Sequence, residues 1–323
     1  MKNMKKVWLL LFSAFLAIST AACGKPVVPA EKEIPAQIIA FTDDLGRTVR
    51  VTKADRVVTM IGSFADIWCL AGGKDTLVAT ANDTWTSFDL GLRDDVADIG
   101  AIKTPSLEVI LSAEPDFVLA SCNTSSNVEM LEMFEKAGIT VAYFDVQNFQ
   151  DYLNMLDICT QITGCRENYT EYGQRLAEMI ESAIARQTDE HPSILCVRVT
   201  GSSCKVKNST DNLLGEMLAD LGCVNIADGN SDILENLSLE AIMEADPDYI
   251  FAVLQGADPT EAEKVLEETL LSNPAWSSLR AVRYGNFYIL ENSMYNLKPN
   301  AKWGEAYEKL ADILYPEERE PGS

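Results

Sequence analysis

Residues 238–253 read SLEAIMEADPDYIFAV, and residues 106–121 read SLEVILSAEPDFVLAS. Ser, Leu, Glu, Ile, Ala, Pro and Asp recur in step at two places far apart in the chain. Each copy reads as helix, turn, strand. Ser238 and Ser106 are good N-caps, and Glu240 and Glu108 fall in the first turn, where a carboxylate favours the helix dipole. Leu239, Ile242 and Met243 recur at i, i+3, i+4 and form one apolar face, as do Leu107, Ile110 and Leu111. Asp246-Pro247 stops one helix and Pro115 the other. Tyr249–Leu254 and residues 117–120 are continuous apolar runs, the pattern of a strand buried on both faces of a parallel sheet.

The surroundings repeat as well. Arg56-Val57-Val58-Thr59-Met60-Ile61 reads as a strand, followed by a helix ending at Ala71-Gly72-Gly73. Residues 193–199 read as a strand, followed by a helix over 212–221 that ends at Gly222. After the repeated unit, one half continues with a helix over 127–137 and a strand Thr140–Phe144. The other continues with a charged helix over 260–271 and a strand over 286–290. Alternating strands and helices predict a parallel α/β sheet in each half. Between the halves the sequence is helical: apolar residues recur at helical spacing over 149–162 and again over 168–186. A long helix there holds two lobes at a nearly fixed separation. Residues 41–51, FTDDLGRTVRV, read as a small hairpin.

The chain has 323 residues, 47% of them hydrophobic, enough for two domains with real cores. Its net charge of −23 argues against nucleic acid as a partner, because an acidic surface repels phosphates. Residues 1–22 have a basic start at Lys2, Lys5 and Lys6, an apolar run and a small-residue end, Thr20-Ala21-Ala22. That is the pattern of a secretory signal peptide, too short to span a membrane stably. The stretch Thr20-Ala21-Ala22-Cys23-Gly24 resembles the lipobox of bacterial lipoproteins, with Thr20 where Leu is usual. It implies a lipid-bearing Cys23. Residues 23–37 then read as a Pro-rich tether of roughly 45 Å at ~3.3 Å per residue. The expected organisation is a lobe over 38–147, a helical connection over 148–190, a second lobe over 191–318 and a tail over 319–323.

Of eight cysteines none forms a CxxC, and His191 is the one histidine, so the common zinc spacings are absent. Cys196 and Cys204 flank a Thr200-Gly201-Ser202 turn and face each other if a hairpin forms there. Cys159 and Cys165 can pair only if the helix breaks at Thr163-Gly164. Buried free thiols are the alternative for both pairs.

Taken in order, DDLGRTV, RVVTMIGSFADIWCLAGG, the two SLE…PD units and NPAWSSLRAVRYGNFYIL at 273–290 resemble a family. It is that of the substrate-binding lipoproteins of bacterial ABC importers for iron–siderophore complexes, cobalamin and haem. The resemblance implies an α/β fold of two lobes, each a mainly parallel sheet flanked by helices. One long rigid helix joins them (the class III periplasmic-binding-protein arrangement), with the ligand in the cleft between. It also implies an exported, lipid-anchored monomer that delivers a metal chelate to a permease dimer with its ATPase, with no permanently bound cofactor. In this family a glutamate on top of each lobe docks onto permease arginines, and Glu108 and Glu240 stand at those places. Asp66 stands where many members carry Glu and is a third acidic candidate.

Ligand contacts are expected from loops at the carboxyl ends of the strands. The candidates are Asn82, Trp85, Lys103 and Asn123 in the first lobe. In the second they are Lys205, Lys207, Glu235, Met294, Tyr295 and Lys298. Lys205 and Lys207 alternate and so point the same way, which suits an anionic chelate, while a guarded sheet edge is the equally ordinary reading. Trp85 can stack on a ligand or cap the core. His191 precedes the first strand of the second lobe and so falls at the end away from the cleft. No GxSxG, Walker A, Gly-rich dinucleotide loop or HExxH occurs, which argues against an exported enzyme. The matched glutamates argue against an inert adhesion protein. The iron–siderophore chelate is the leading ligand class, and a corrinoid or haem is the alternative.

Overall fold

The computed structural model of the protein describes residues 38–256 and 259–316. The signal segment, Cys23 and the tether lie outside them. The chain opens with a hairpin of β1 (Ile39–Thr42) and β2 (Thr48–Val51), in which Gly46 takes a φ of 76°. Then come β3 (Val57–Thr59), α1 (Gly62–Leu70), β4 (Leu77–Thr80), α2 (Asp83–Ser87), β5 (Ala97–Asp98) and α3 (Leu107–Ser112). The first lobe closes with β6 (Phe117–Ser121), α4 (Ser125–Glu129), α5 (Leu131–Lys136) and β7 (Thr140–Phe144). The connection is α6 (Phe149–Thr163), then α7 (Arg166–Tyr169), which runs through one π-helical stretch, Thr170–Gln174, into α8 (Arg175–Ile184). The second lobe carries β8 (Ser193–Thr200), β9 (Ser203–Lys207), α9 (Leu213–Asp220), β10 (Val224–Asn225), α10 (Ser231–Leu234), α11 (Leu239–Ala245) and β11 (Tyr249–Leu254). It ends with α12 (Thr260–Leu266), α13 (Arg280–Arg283), β12 (Phe287–Leu290), α14 (Asn292–Tyr295) and α15 (Trp303–Leu314).

The two sheets are built alike. The first has the order β5-β4-β3-β6-β7, all parallel. The second has β10-β8-β11-β12, also parallel, with β9 antiparallel to β8. The strand of each repeated unit lies beside its lobe's first strand, β6 on β3 and β11 on β8. Both serines cap as expected: Ser106 Oγ accepts from the Val109 amide and Ser238 Oγ from the Ala241 amide. The residue before each proline takes a left-handed conformation, Glu114 at φ 47° and Asp246 at φ 42°. A helical φ there would clash with the proline ring. The repeated Asp also has a structural job. Asp116 Oδ1 accepts from the Arg56 amide and Asp248 Oδ2 from the Ser193 amide, so each carboxylate ties its own strand to the start of the neighbouring one.

Two helices differ from the pattern read in the sequence. The helix expected over 127–137 is broken at Met130 into α4 and α5. The connection is two helices, because Gly164 ends α6 in a left-handed cap at φ 78°. The cysteine pairings do not form. In the β8–β9 ladder Cys204 lies opposite Val199 and Cys196 opposite Lys207, so the hairpin register separates the two thiols. The break at Thr163-Gly164 does occur, yet Cys159 stays in the core of α6 while Cys165 lies beyond the turn, and both are free thiols.

Close packing fixes the second lobe's first loop. A Cβ on Gly215 of α9 would lie 2.2 Å from the Asn208 carbonyl oxygen. Gly215→Ala is therefore expected to destabilise the protein by about 2–3 kcal/mol through overpacking against backbone. Denaturant unfolding measures this, and an unchanged midpoint would contradict it.

Candidate binding cleft

The carboxyl ends of the strands in the two lobes face one another. Lys298, past the end of β12, donates from Nζ to the Gln147 carbonyl at 3.2 Å, past the end of β7. Asn300 donates from Nδ2 to the Ser63 carbonyl at 3.0 Å and to Asp66 Oδ2 at 2.8 Å, both in the N-terminal half of α1. At the opposite end of the second lobe a cavity of about 640 Å³ opens among Arg186, His191, Asp248, Tyr249 and Tyr315. His191 sits there, its Nδ1 3.0 Å from the Gly222 carbonyl, on the amino-terminal side of the sheet and away from the cleft.

The first lobe presents Asn82, Lys103 and Asn123 on the loops that follow β4, β5 and β6, and Trp85 in α2, all exposed. Trp85 is 46% exposed and borders a crevice with Phe88, Leu90 and Leu92. The start of α2 is pinned to α1 by Asp83, whose two oxygens accept the Gly62 amide at 3.0 and 2.9 Å. Burial pushes that carboxyl above its usual range. Asn123 donates to Asp145, as does Gln147 from Nε2 at 2.6 Å. Burial raises Asp44, and the like charges of Asp145, Asp151 and Asp43 add to it.

The second lobe presents cations. Lys205 and Lys207 alternate along β9 around the buried Val206. Directly opposite Lys205, on β8, stands Arg198. Like charges in facing positions of a sheet destabilise it. Among the described residues neither Arg198 nor Lys205 has a carboxylate within 4.0 Å, whereas Lys207 reaches Asp211 at 3.5 Å. Arg198 was not among the expected ligand residues. Its signal is the single charge that interrupts the apolar run SILCVRVT, in register with Lys205.

The remaining candidates divide. Glu235 is exposed just past α10. Lys298 lies in the seam between the lobes; burial lowers its pKa, while Asp145, Glu216 and Asp151 act in the opposite direction. Met294 and Tyr295 are not cleft residues: each is 2% exposed. The Tyr295 hydroxyl donates to the Ala306 carbonyl at 3.0 Å, because α14 tucks under α15. Glu108 and Glu240 are exposed in the first turns of matched helices. Among the described residues neither has an ion pair. Asp66 differs from them: it is half-buried and engaged by Asn300.

A family model described as periplasmic binding protein matches residues 57–294, from the first sheet's central strand to beyond the last strand of the second. The chain belongs to the periplasmic binding protein family. It is 23% identical over 309 residues to YhfQ of Bacillus subtilis, provisionally named an ABC transporter substrate-binding lipoprotein, covering 91% of this chain and 93% of that one. It is 26% identical over 326 residues to the iron-uptake system-binding protein of the same organism, covering 95% and 96%. Among solved structures, S. aureus IsdE complexed with heme superposes with a TM-score of 0.64 at 17% identity, covering 81% of this chain and all of that one. This likeness is one of fold: two lobes of parallel sheet flanked by helices. Members of the family bind solutes and are not enzymes.

Proposed function

We propose that this protein is the extracytoplasmic solute-binding lipoprotein of an ABC importer. It captures an anionic iron chelate of the siderophore type between its lobes and delivers it to a membrane permease. The observation that carries the ligand class is the pair Arg198 and Lys205, two facing cations without carboxylate partners among the described residues, at the carboxyl end of a sheet. Keeping them there costs stability in the empty protein, and an anionic ligand offsets that cost. Kinship with an iron-uptake binding protein supports the same reading. Haem is less well served, since Met294 and Tyr295 are held in the core. Lipid on Cys23 and the 23–37 tether would keep the protein at the outer face of the cytoplasmic membrane as a monomer. Docking through Glu108 and Glu240 would bring it onto the permease.

Fluorescence titration with ferric citrate, a ferric tris-catecholate, haemin and cobalamin tests the ligand class. Saturable binding of an anionic ferric chelate at micromolar concentration or below is expected. Tight binding of cobalamin or haemin, with neither ferric chelate bound, would overturn it.

A further inference from the structure

The linker helix is not the sole tie between the lobes. Residues 298–303 of the second lobe lie against the first at two points and against the connecting helix α6 at a third. Lys298 reaches the Gln147 carbonyl. Asn300 reaches Ser63 and Asp66. The Trp303 ring lies 5.6 Å from that of Phe149 and 6.5 Å from that of Tyr152, centroid to centroid, both on α6.

Asn300 stands out among these. It is fully buried and takes a left-handed φ of 49°. Asparagine tolerates that region better than most residues, yet the conformation persists only where surrounding bonds dictate it. Its Oδ1 has no partner among the described residues, so the amide is satisfied there at its donor end alone, by two acceptors of the other lobe. Burial raises the Asp66 pKa, and the Asn300 hydrogen bond and the Lys302 charge offset that rise only in part. Apolar packing crosses the seam too, since buried residues of both lobes, Phe64 and Trp303 among them, belong to one continuous core, beside a crevice of about 340 Å³ among Phe149, Leu213, Glu216, Trp303 and Tyr307. The polar contact adds direction to that packing, because a hydrogen bond fixes a geometry that apolar contact alone does not.

The target of Asn300 matters. Ser63 and Asp66 belong to the N-terminal half of α1, whose Gly62 amide is held by Asp83 at the start of α2. Trp85 lies in that same short helix. One hydrogen-bonded chain thus runs from the second lobe through Asn300 to the cleft loops of the first.

We infer that Asn300 is a positioning residue: it pins the second lobe to the N-terminal half of α1 and so holds the cleft near its ligand-ready angle. This rests on the reading of the cleft as the ligand site. A protein that samples wider angles when empty is competent for only part of the time, and its apparent affinity falls by that fraction.

Asn300→Gly separates pin from backbone, because glycine keeps the left-handed φ without the side chain. Spin labels on non-canonical residues replacing the exposed Lys136 and Lys264 report the inter-lobe distance by pulsed EPR on the free protein. The wild type is expected to show one narrow distribution. Asn300→Gly is expected to broaden it, with the melting temperature nearly unchanged and ferric chelate affinity lowered about tenfold. Asp66→Asn, which leaves Asn300 an acceptor, should fall between the two. A distribution as narrow as the wild type in Asn300→Gly would overturn the proposal, as would a broad one with unchanged affinity. Should the wild type bind neither ferric citrate nor a ferric tris-catecholate, the functional reading falls, and the distances measured without ligand still decide the pin.

Discussion

Replacing Arg198 and Lys205 together by glutamine is expected to lower affinity for an anionic ferric chelate about a hundredfold or more, while stability rises slightly. The two effects have opposite signs because the same cations act in two states. In the free protein they face each other across the β8–β9 ladder with no carboxylate partner among the described residues. Relieving such a facing like-charge pair gains roughly 0.2–1 kcal/mol. In the complex each would make charge-assisted hydrogen bonds, and a hydrogen bond to a charged group contributes about 1.5–3 kcal/mol, or about ten- to a hundredfold in affinity. Calorimetric titration with ferric citrate and a thermal melt of the double variant read both. The competing reading is that lysines on β9 merely guard a sheet edge against strand addition. It predicts a stability gain with affinity unmoved, and that result would remove the ligand assignment. A single Lys207→Gln change is a useful contrast, because Asp211 already neutralises that residue at 3.5 Å. It should affect affinity less than either of the others.

The fold was legible because its signals are local. Ser106 and Ser238, the apolar faces behind them and the prolines that end each unit act within a few residues. They recur because the same αβ unit sits in the same place in both sheets. The second half of the unit carried information that local reasoning left aside. Asp116 and Asp248 recur in sequence without an evident role, and only the sheet order shows them gripping a neighbouring strand. The cleft was legible in part. Loops at strand ends follow from strand direction, and Asn82 and Asn123 lie on such loops, with Trp85 in the short helix α2 after β4. Met294 and Tyr295 were misplaced because their burial depends on how α15 folds back over α14, a contact that no periodicity encodes. Arg198 was missed for a related reason. Within SILCVRVT it looks like an interruption, and it becomes a site residue only when the hairpin register sets it opposite Lys205. Asn300 could not be found from sequence at all, since its partners Ser63 and Asp66 belong to the other lobe.

Changing Glu108 and Glu240 together to glutamine is expected to reduce uptake of labelled iron to near background in cells that carry the permease, with chelate affinity altered less than about twofold. Both carboxylates occupy first turns of helices in the repeated unit, both are exposed, and neither has an ion pair among the described residues. The alternative role is internal. A first-turn carboxylate favours its helix by about 0.3–1 kcal/mol, which glutamine would forfeit. That role predicts a lower melting temperature with uptake following stability alone. A docking role predicts a loss of uptake far larger than a shift of that size can produce in a protein still fully folded at the growth temperature. Each exposed pair contributes only about 0–1 kcal/mol to affinity, so the expected signature is in orientation and encounter rate rather than in tight binding. Two equal anions on two matched lobes can satisfy a two-fold partner only together. Each single change should therefore cost much of the uptake, and charge reversal with Glu108→Lys should cost more than neutralisation. If both single variants import at the wild-type rate, the matched glutamates are helix residues and nothing more, and the importer must grip the lobes elsewhere.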